Sequence, residues 1–335
     1  MDTPRFLTGK KILFISAKLF SISDNIRREM ERLGAEVDYF DERPSNTAVM
    51  KALIRINRDL VASTIDRYYD DILTSTSARD YDYILFTKGE SVSARQLRRL
   101  RDLHPRATLI LYNWDAIYYN RHADDINACF DRVVTFDRMD AAALSMEFLP
   151  LFYTPDYSAV PAIPDSRIDY AAAFIGTTHS DRYAIATSIV RELTGYGQKV
   201  MMYFYFQSRM MYYKRMYIDR IIGREWKDCF YFSPLSHTQI LDAYSHTVAL
   251  IDVQWPHQRG LTMRSIEALG ARRKLITTNR DIVNYDFYDD ANILVIDRDH
   301  PHVPRAFLET PYRPVPQHIY DNYSIDSWLQ RLLKP

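Results

Sequence analysis

The chain has 335 residues, 47% hydrophobic and 26% charged, a composition that suits folded domains and excludes a disordered chain or a coiled coil. That length allows two domains with full cores. Forty-three basic residues balance forty-three acidic ones, so the basic excess of a dedicated nucleic-acid binder is missing and no nucleic-acid partner is expected.

Residues 11–17 (KILFISA) read as a buried strand, and 23–33 as a helix capped by Ser23 or Asp24 and stopped by Gly34. Residues 36–40 form a second strand, 47–72 a long helical pattern, 83–87 a third strand and 93–103 a helix closed by Pro105. Two more strands follow at 108–112 and 132–136. Pro150, Pro155, Pro161 and Pro164 then punctuate a stretch without periodicity, which places a linker over 154–168 between a first domain (1–153) and a second (169–320). The second domain repeats the grammar: strand 170–175, helix 182–193, strand 200–206, helix 238–244, and strands 249–253, 274–277 and 293–296. A terminal helix, 325–333, lies in the last segment, 321–335. Strands alternating with helices predict an α/β protein with two Rossmann-like lobes facing a central cleft, ligands binding at the carboxyl ends of the strands.

Several chemistries are absent. Neither half follows its first strand with G-x-G-x-x-G, and no P-loop, H-E-x-x-H or G-x-S-x-G is present. Cys129 and Cys229 fit no zinc or redox spacing and accord with a reducing, cytoplasmic compartment. The start of the chain leads into a strand rather than a signal-peptide core, and no apolar run approaches the roughly 20 residues that span a bilayer. Asp70-Asp71 and Asp289-Asp290 are pairs whose spacing alone does not make a metal site.

The most informative stretch is 257–279. It reads as loop, helix and strand after an apolar strand, with the helix beginning near Leu261 or Thr262. A helix start presents unpaired N–H groups and the positive end of its dipole to an anion. Thr262 and Arg264 add a hydroxyl and a cation, and Glu267, one turn on, can accept from ribose or sugar hydroxyls. The plainer alternative is a surface pair between Arg264 and Glu267. His179 and Arg182, in the turn after strand 170–175, are further phosphate candidates.

The run from Gly260 to Asn279 (GLTMRSIEALGARRKLITTN), with Asn284-Tyr285-Asp286-Phe287-Tyr288 after it, resembles bacterial two-lobed GT-B glycosyltransferases. It is similar in particular to the capsule, exopolysaccharide and lipopolysaccharide group, including CgeB-like and Eps-type transferases. Lys88-Gly89-Glu90, Trp114-Asp115 and Thr135-Phe136-Asp137 extend the resemblance upstream. It implies a nucleotide-sugar donor on the second lobe, held by Thr262, Arg264 and Glu267 with Arg259, Gly260, His179, Arg182 and Asn279 nearby. It also implies a glycan or lipid-linked glycan acceptor on the first lobe, and no cofactor or metal. Many retaining members carry a glutamate eight residues before the one matching Glu267; here that position is Arg259. Inversion needs a general base, for which Asp115 is the first candidate and Glu90 the second, with Trp114 placed to stack on a sugar. A nucleotide-sugar epimerase of the same fold and a non-catalytic binding protein are the alternatives.

Two basic stretches remain. The arginines at 95, 98, 99, 101 and 106 read as a solvated helix face. Residues 201–220 (MMYFYFQSRMMYYKRMYIDR) read as a basic, aromatic helix whose apolar stripe packs into the second lobe, the alternative being contact with an anionic membrane surface.

Overall fold

The computed structural model describes residues 5–18, 22–119, 126–161, 167–223 and 225–334. They form two compact units, Met1–Pro150 with Ile325–Pro335, and Leu151–Ser324. Each is built on a six-stranded sheet whose strand pairs all run parallel.

The first unit contains β1 (Lys11–Ser16), α1 (Ile22–Arg32), β2 (Glu36–Asp41), α2 (Ala48–Asn57), α3 (Ala62–Thr76), β3 (Tyr83–Thr87), α4 (Ala94–Leu103), β4 (Thr108–Asn113), β5 (Arg132–Thr135), α5 (Arg138–Leu144) and β6 (Glu147–Phe148). Its strand order is β2-β1-β3-β4-β5-β6. The strands are apolar on both faces, so helices cover both sides. Leu13, Ile15, Phe86, Leu109 and Leu111 meet Ile65, Tyr69 and Ile72 of α3 and Leu97 and Leu100 of α4 in one core, each such buried side chain contributing about 1.5–3 kcal/mol. The long helix expected over 47–72 is broken: a 3-10 turn, Arg58–Val61, intervenes because the Asn57 side chain accepts from Asp59 N (3.0 Å) and starts a new turn. The α4 start at Ser93 is a capping box with Gln96.

The second unit contains α6 (Pro155–Ser158), β7 (Tyr170–Thr177), α7 (Arg182–Gly195), β8 (Val200–Tyr205), α8 (Arg209–Tyr213), β9 (Phe230–Tyr231), α9 (His237–Ser245), β10 (Thr247–Asp252), α10 (Met263–Gly270), β11 (Lys274–Thr277), β12 (Ile293–Val295), α11 (Arg305–Glu309) and α12 (Gln317–Asp321). The order is β12-β11-β10-β7-β8-β9. Phe174, Phe204, Ile251 and Ile276 pack against Ile185, Ile189 and Leu193 of α7. Of the stretch expected as a linker, 162–166, with Pro164, lies outside the described residues; α6 opens it, and Tyr157 there is buried. Gly270 has no alternative: a Cβ there would lie 2.6 Å from the Tyr153 ring.

The last helix, α13 (Ile325–Leu333), returns to the first unit. Its apolar face carries Trp328, Leu329, Leu332 and Leu333 inward, with Trp328 edge-on to Tyr112 at 4.9 Å and Asp326 paired to Arg32 at 2.6 Å.

The segment 201–220 is not one helix. Residues 200–205 are strand β8, where alternating burial of Met202 and Phe204 satisfies a period of two. The helix starts only at Arg209, capped by Ser208, and continues as a π-turn over Lys214–Ile218. The arginine face of α4 lies at the surface as expected, and four of its five cations are paired there: Arg95 with Asp66 (3.3 Å), Arg99 with Asp70, Arg101 with Asp131 (2.8 Å), and Arg106, just beyond the helix, with Asp80 (2.7 Å).

Candidate functional site

In a doubly wound sheet a crevice opens where neighbouring strands send their connections in opposite directions. In the second unit that point lies between β7 and β10, and a cavity of about 190 Å³ opens there, lined by Phe174, Ile175, Asp252, Thr262 and the two arginines Arg182 and Arg264.

Each wall has a cause in the sequence. Asp252 ends β10 almost fully buried and accepts from the Thr262 hydroxyl (2.8 Å) and the Ser265 hydroxyl (2.9 Å) on one oxygen. Thr262 also caps α10 by accepting from Ser265 N, so the loop, the helix start and the strand end are tied together. Arg182, the first residue of α7, spans the switch point by donating Nε–H to Val253 O (2.7 Å) and an η N–H to Thr177 O (3.4 Å). Burial lowers its pKa to about 10, with nearby Arg264 and Arg298 adding to the fall against Asp252; it stays a cation at neutral pH.

Arg264 is half-buried at the same wall. Among the described residues its guanidinium has no hydrogen-bond or salt-bridge partner. The surface pair with Glu267 does not form. Burial pulls the Arg264 pKa down, but Tyr244, Glu267 and Asp252 outweigh it and raise it. Glu267 instead accepts from the Tyr244 phenol (3.1 Å), and the phenol of Tyr157 lies against it too.

The loop residues divide by role. Gly260 is buried, Arg259 exposed, and the Asn279 side chain donates to both their carbonyls (2.9 and 3.3 Å) while accepting from Asp281 N. Asn279 thus clamps the 257–262 loop to the end of β11. His179 stacks flat on Trp255, ring centroids 3.8 Å apart. Burial, then Arg182 and Arg215, hold its pKa down to about 3, so it is a neutral ring. In the same turn the Thr178 hydroxyl is buried and unpartnered, and Asp181 leaves the α7 start without a side-chain cap, being turned to Arg298 (2.7 Å). Two helix N-termini and two arginines therefore meet at one cavity; Asp252 and Glu267 balance the arginines in charge, and the N–H groups of the helix starts add the positive field that suits an anion.

The first unit has its switch point between β1 and β3. Register places Ser16, Asp41 and Thr87 side by side, so Glu42-Arg43 and Lys88-Gly89-Glu90 leave the sheet at one level. Lys88 and Gly89 both have positive φ (89° and 66°), and a Cβ on Gly89 would come within 2.7 Å of Ile126. This tight loop is strained at Lys88. It brings both carboxylate candidates together: Lys88 Nζ lies 2.8 Å from Glu90 and 2.8 Å from Asp115. Arg43 pairs with the other Glu90 oxygen. Burial disfavours the Glu90 anion, but Lys88 and Arg43 prevail and depress its pKa to about 2. Asp115 is the exposed member, its side chain 44% accessible. Trp114 beside it is only 9% exposed, which leaves little ring face open to a sugar.

Glu42 and Arg43 are contributors that sequence reasoning missed; their only signal was a position just after a strand's carboxyl end. Glu42 is fully buried, accepts from Ser91 N (2.9 Å) and leaves its second oxygen unpartnered. Burial, then Glu90, push its pKa from 4.5 up to about 8. The native state therefore holds a proton that the unfolded chain releases, and stability falls as pH climbs from 4.5 through about 8. Glu42→Gln cannot ionise, so its melting temperature should gain on the wild type by several degrees between about pH 5 and pH 8.5. A pH-independent difference between the two melting curves would show that Glu42 is already ionised.

Among the described residues no three His, Cys, Asp or Glu side chains converge as a metal site. Asp70 and Asp289 are engaged by Arg99 and Arg313. No family model matches the chain, and no curated protein sequence matches it. Solved structures do. An α,α-trehalose 6-phosphate synthase from Burkholderia multivorans superposes with a TM-score of 0.60 at 10% identity, over 96% of this chain and 95% of that one. Anabaena HepE, solved with UDP and glucose, gives 0.57 at 10%, over 96% and 98%. UDP-GlcNAc 2-epimerase from Methanocaldococcus jannaschii gives 0.54 at 9%, over 97% and 100%. The fold is that of the GT-B enzymes. Both lobes take part in the match, since nearly the whole chain is covered in each case.

Proposed function

We propose that the protein is a glycosyltransferase that moves a sugar from a nucleotide-sugar donor to an acceptor glycan in bacterial surface polysaccharide biosynthesis, without a metal and in the cytoplasm. The observation that carries this reading is Arg264: a cation with no partner of its own among the described residues, facing a cavity that it shares with Arg182. Tyr244, Glu267 and Asp252 favour its charge from a distance, but its N–H donors are left unspent and are free for a ligand anion. The diphosphate of the donor supplies it, received by Arg264, Arg182 and the N–H groups that begin α10 and α7. Thr262 is already committed to Asp252 and Ser265, so it positions that helix start. Glu267 offers its remaining lone pairs to ribose hydroxyls. The neighbour solved with UDP and glucose supports this choice of donor.

On the first lobe Asp115 is the general base. It takes the proton of an acceptor hydroxyl as that oxygen bonds to the anomeric carbon and the bond to the nucleoside diphosphate breaks. Glu90 is buried between two cations and serves to hold Lys88 and Arg43 in place. An epimerase is the second reading, favoured by the match to UDP-GlcNAc 2-epimerase; it predicts an isomerised sugar when donor is incubated alone.

The test is a thermal-shift series with UDP, GDP, CDP and ADP. One nucleoside diphosphate should raise the melting temperature, a concentration of 100 times Kd adding about 2.7 kcal/mol. If none shifts the wild type, the pocket does not hold a nucleotide.

A further inference from the structure

We infer that the α8 segment of the second lobe is a docking surface for an anionic lipid bilayer. The segment carries two apolar faces. The inner one, Tyr212 and Met216, packs on the lobe core, with Tyr212 5.4 Å from Phe206 and 5.3 Å from Phe230. The outer one is Met210, Tyr213, Tyr217, Ile218 and Ile221, all exposed, Met210 by 80% and Ile218 by 74%.

An amphipathic helix on a globular lobe needs only one apolar face. A second, solvent-facing stripe costs solubility and marks a contact. Its charge says with what. Residues 209–221 hold four cations, Arg209, Lys214, Arg215 and Arg220, against one acid, Asp219. Arg209, Lys214 and Arg220 are exposed. Arg209 lies over the half-exposed ring of Phe232, 5.3 Å away, which widens the apolar patch and leaves the guanidinium at its rim. Met and Ile flanked by Tyr and ringed with Lys and Arg is the composition of a helix that lies in the headgroup region, apolar side chains below and cations at the phosphates. A protein partner of ordinary surface charge would not need that ring, and a second copy of this patch would set cation against cation.

The segment also reaches the donor loop, because Arg215 on its inner side is near enough to lower the His179 pKa. A bilayer on the outer face would hold the donor lobe at the membrane surface, where an acceptor carried on a lipid resides. The inference stands apart from the donor assignment, since vesicle binding is read without turnover.

The experiment is flotation of the full chain with vesicles of phosphatidylcholine alone and with about 30% phosphatidylglycerol, across a salt series. Binding should require the anionic lipid and weaken with salt. Lys214→Gln with Arg220→Gln should lower the partition coefficient by about fivefold per charge removed, and Met210→Ser with Ile218→Ser should abolish it at unchanged melting temperature. No flotation, or flotation that neither pair of substitutions alters, overturns the inference. So does a wild-type dimer in solution that Met210→Ser with Ile218→Ser converts to monomer, because the stripe would then cover itself.

Discussion

Arg264→Ala is expected to cut kcat/KM for the nucleotide-sugar donor by about 10²- to 10³-fold, ~3–4 kcal/mol of transition-state stabilisation, while the melting temperature stays near that of the wild type. The two halves of this expectation come from one observation. The guanidinium makes no hydrogen bond or salt bridge among the described residues, so its removal breaks none; the lost attraction to Glu267 and Asp252 is offset by relief of the neighbouring charge of Arg182. A residue whose N–H donors are unspent in the resting fold and that faces a cavity has those donors free for a ligand. In the proposed transfer the leaving diphosphate gains charge as the glycosidic bond breaks, so the loss should fall on the transition state as well as on binding. Asp252→Ala is the contrasting case. It strands two hydroxyls and the counter-charge of Arg182, and should lower stability and nucleotide affinity together. If Arg264→Ala keeps full turnover and donor affinity, the cavity is not the phosphate site.

The strands legible in the sequence were those whose apolar residues sit between clear turn or helix-end signals, such as 83–87 and 274–277, where the expected limits match β3 and β11. What escaped were two-residue edge strands, β6 and β9, too short to carry a period. The segment 201–220 carried two readings, a strand to 206 and a helix across the whole stretch, because methionine and tyrosine suit both; the strand holds, paired with β7, and the helix begins only at Arg209. Among the residues that line the second-lobe cavity, the placement of Thr262 and Arg264 at a helix start was legible because capping and helix spacing are local. Asp252 was not, because its role depends on hydroxyls 10 and 13 residues away. The first-lobe cluster was harder still. Glu90 and Arg43 are 47 residues apart, and they meet only because the strand order brings the ends of β2, β1 and β3 side by side.

That cluster allows a sharper test than either carboxylate alone. Asp115→Asn should lower kcat by about 10²- to 10⁴-fold with donor KM and melting temperature little changed, since Asp115 is half-exposed and meets Lys88 at the cluster's open edge. Glu90→Gln should act mainly on the fold. It leaves Arg43 and Lys88 buried without their shared anion, a loss of about 3–5 kcal/mol when a buried pair is broken. Glu42 then becomes the compensating group. Its pKa is raised by burial first and by the Glu90 charge second, so removing that charge lets Glu42 ionise nearer neutrality and take over part of the neutralisation. The penalty of Glu90→Gln should therefore shrink as pH rises toward 8, and the double variant Glu42→Gln with Glu90→Gln should be worse than the sum of its parts. In the wild type Glu90 works the other way: with its pKa near 2, its stabilisation is present above pH 4.5 and lost as pH falls toward 2. Should Glu90→Gln abolish turnover at an unchanged melting temperature while Asp115→Asn stays active, the two carboxylates have exchanged roles and Glu90 is the group that meets the acceptor.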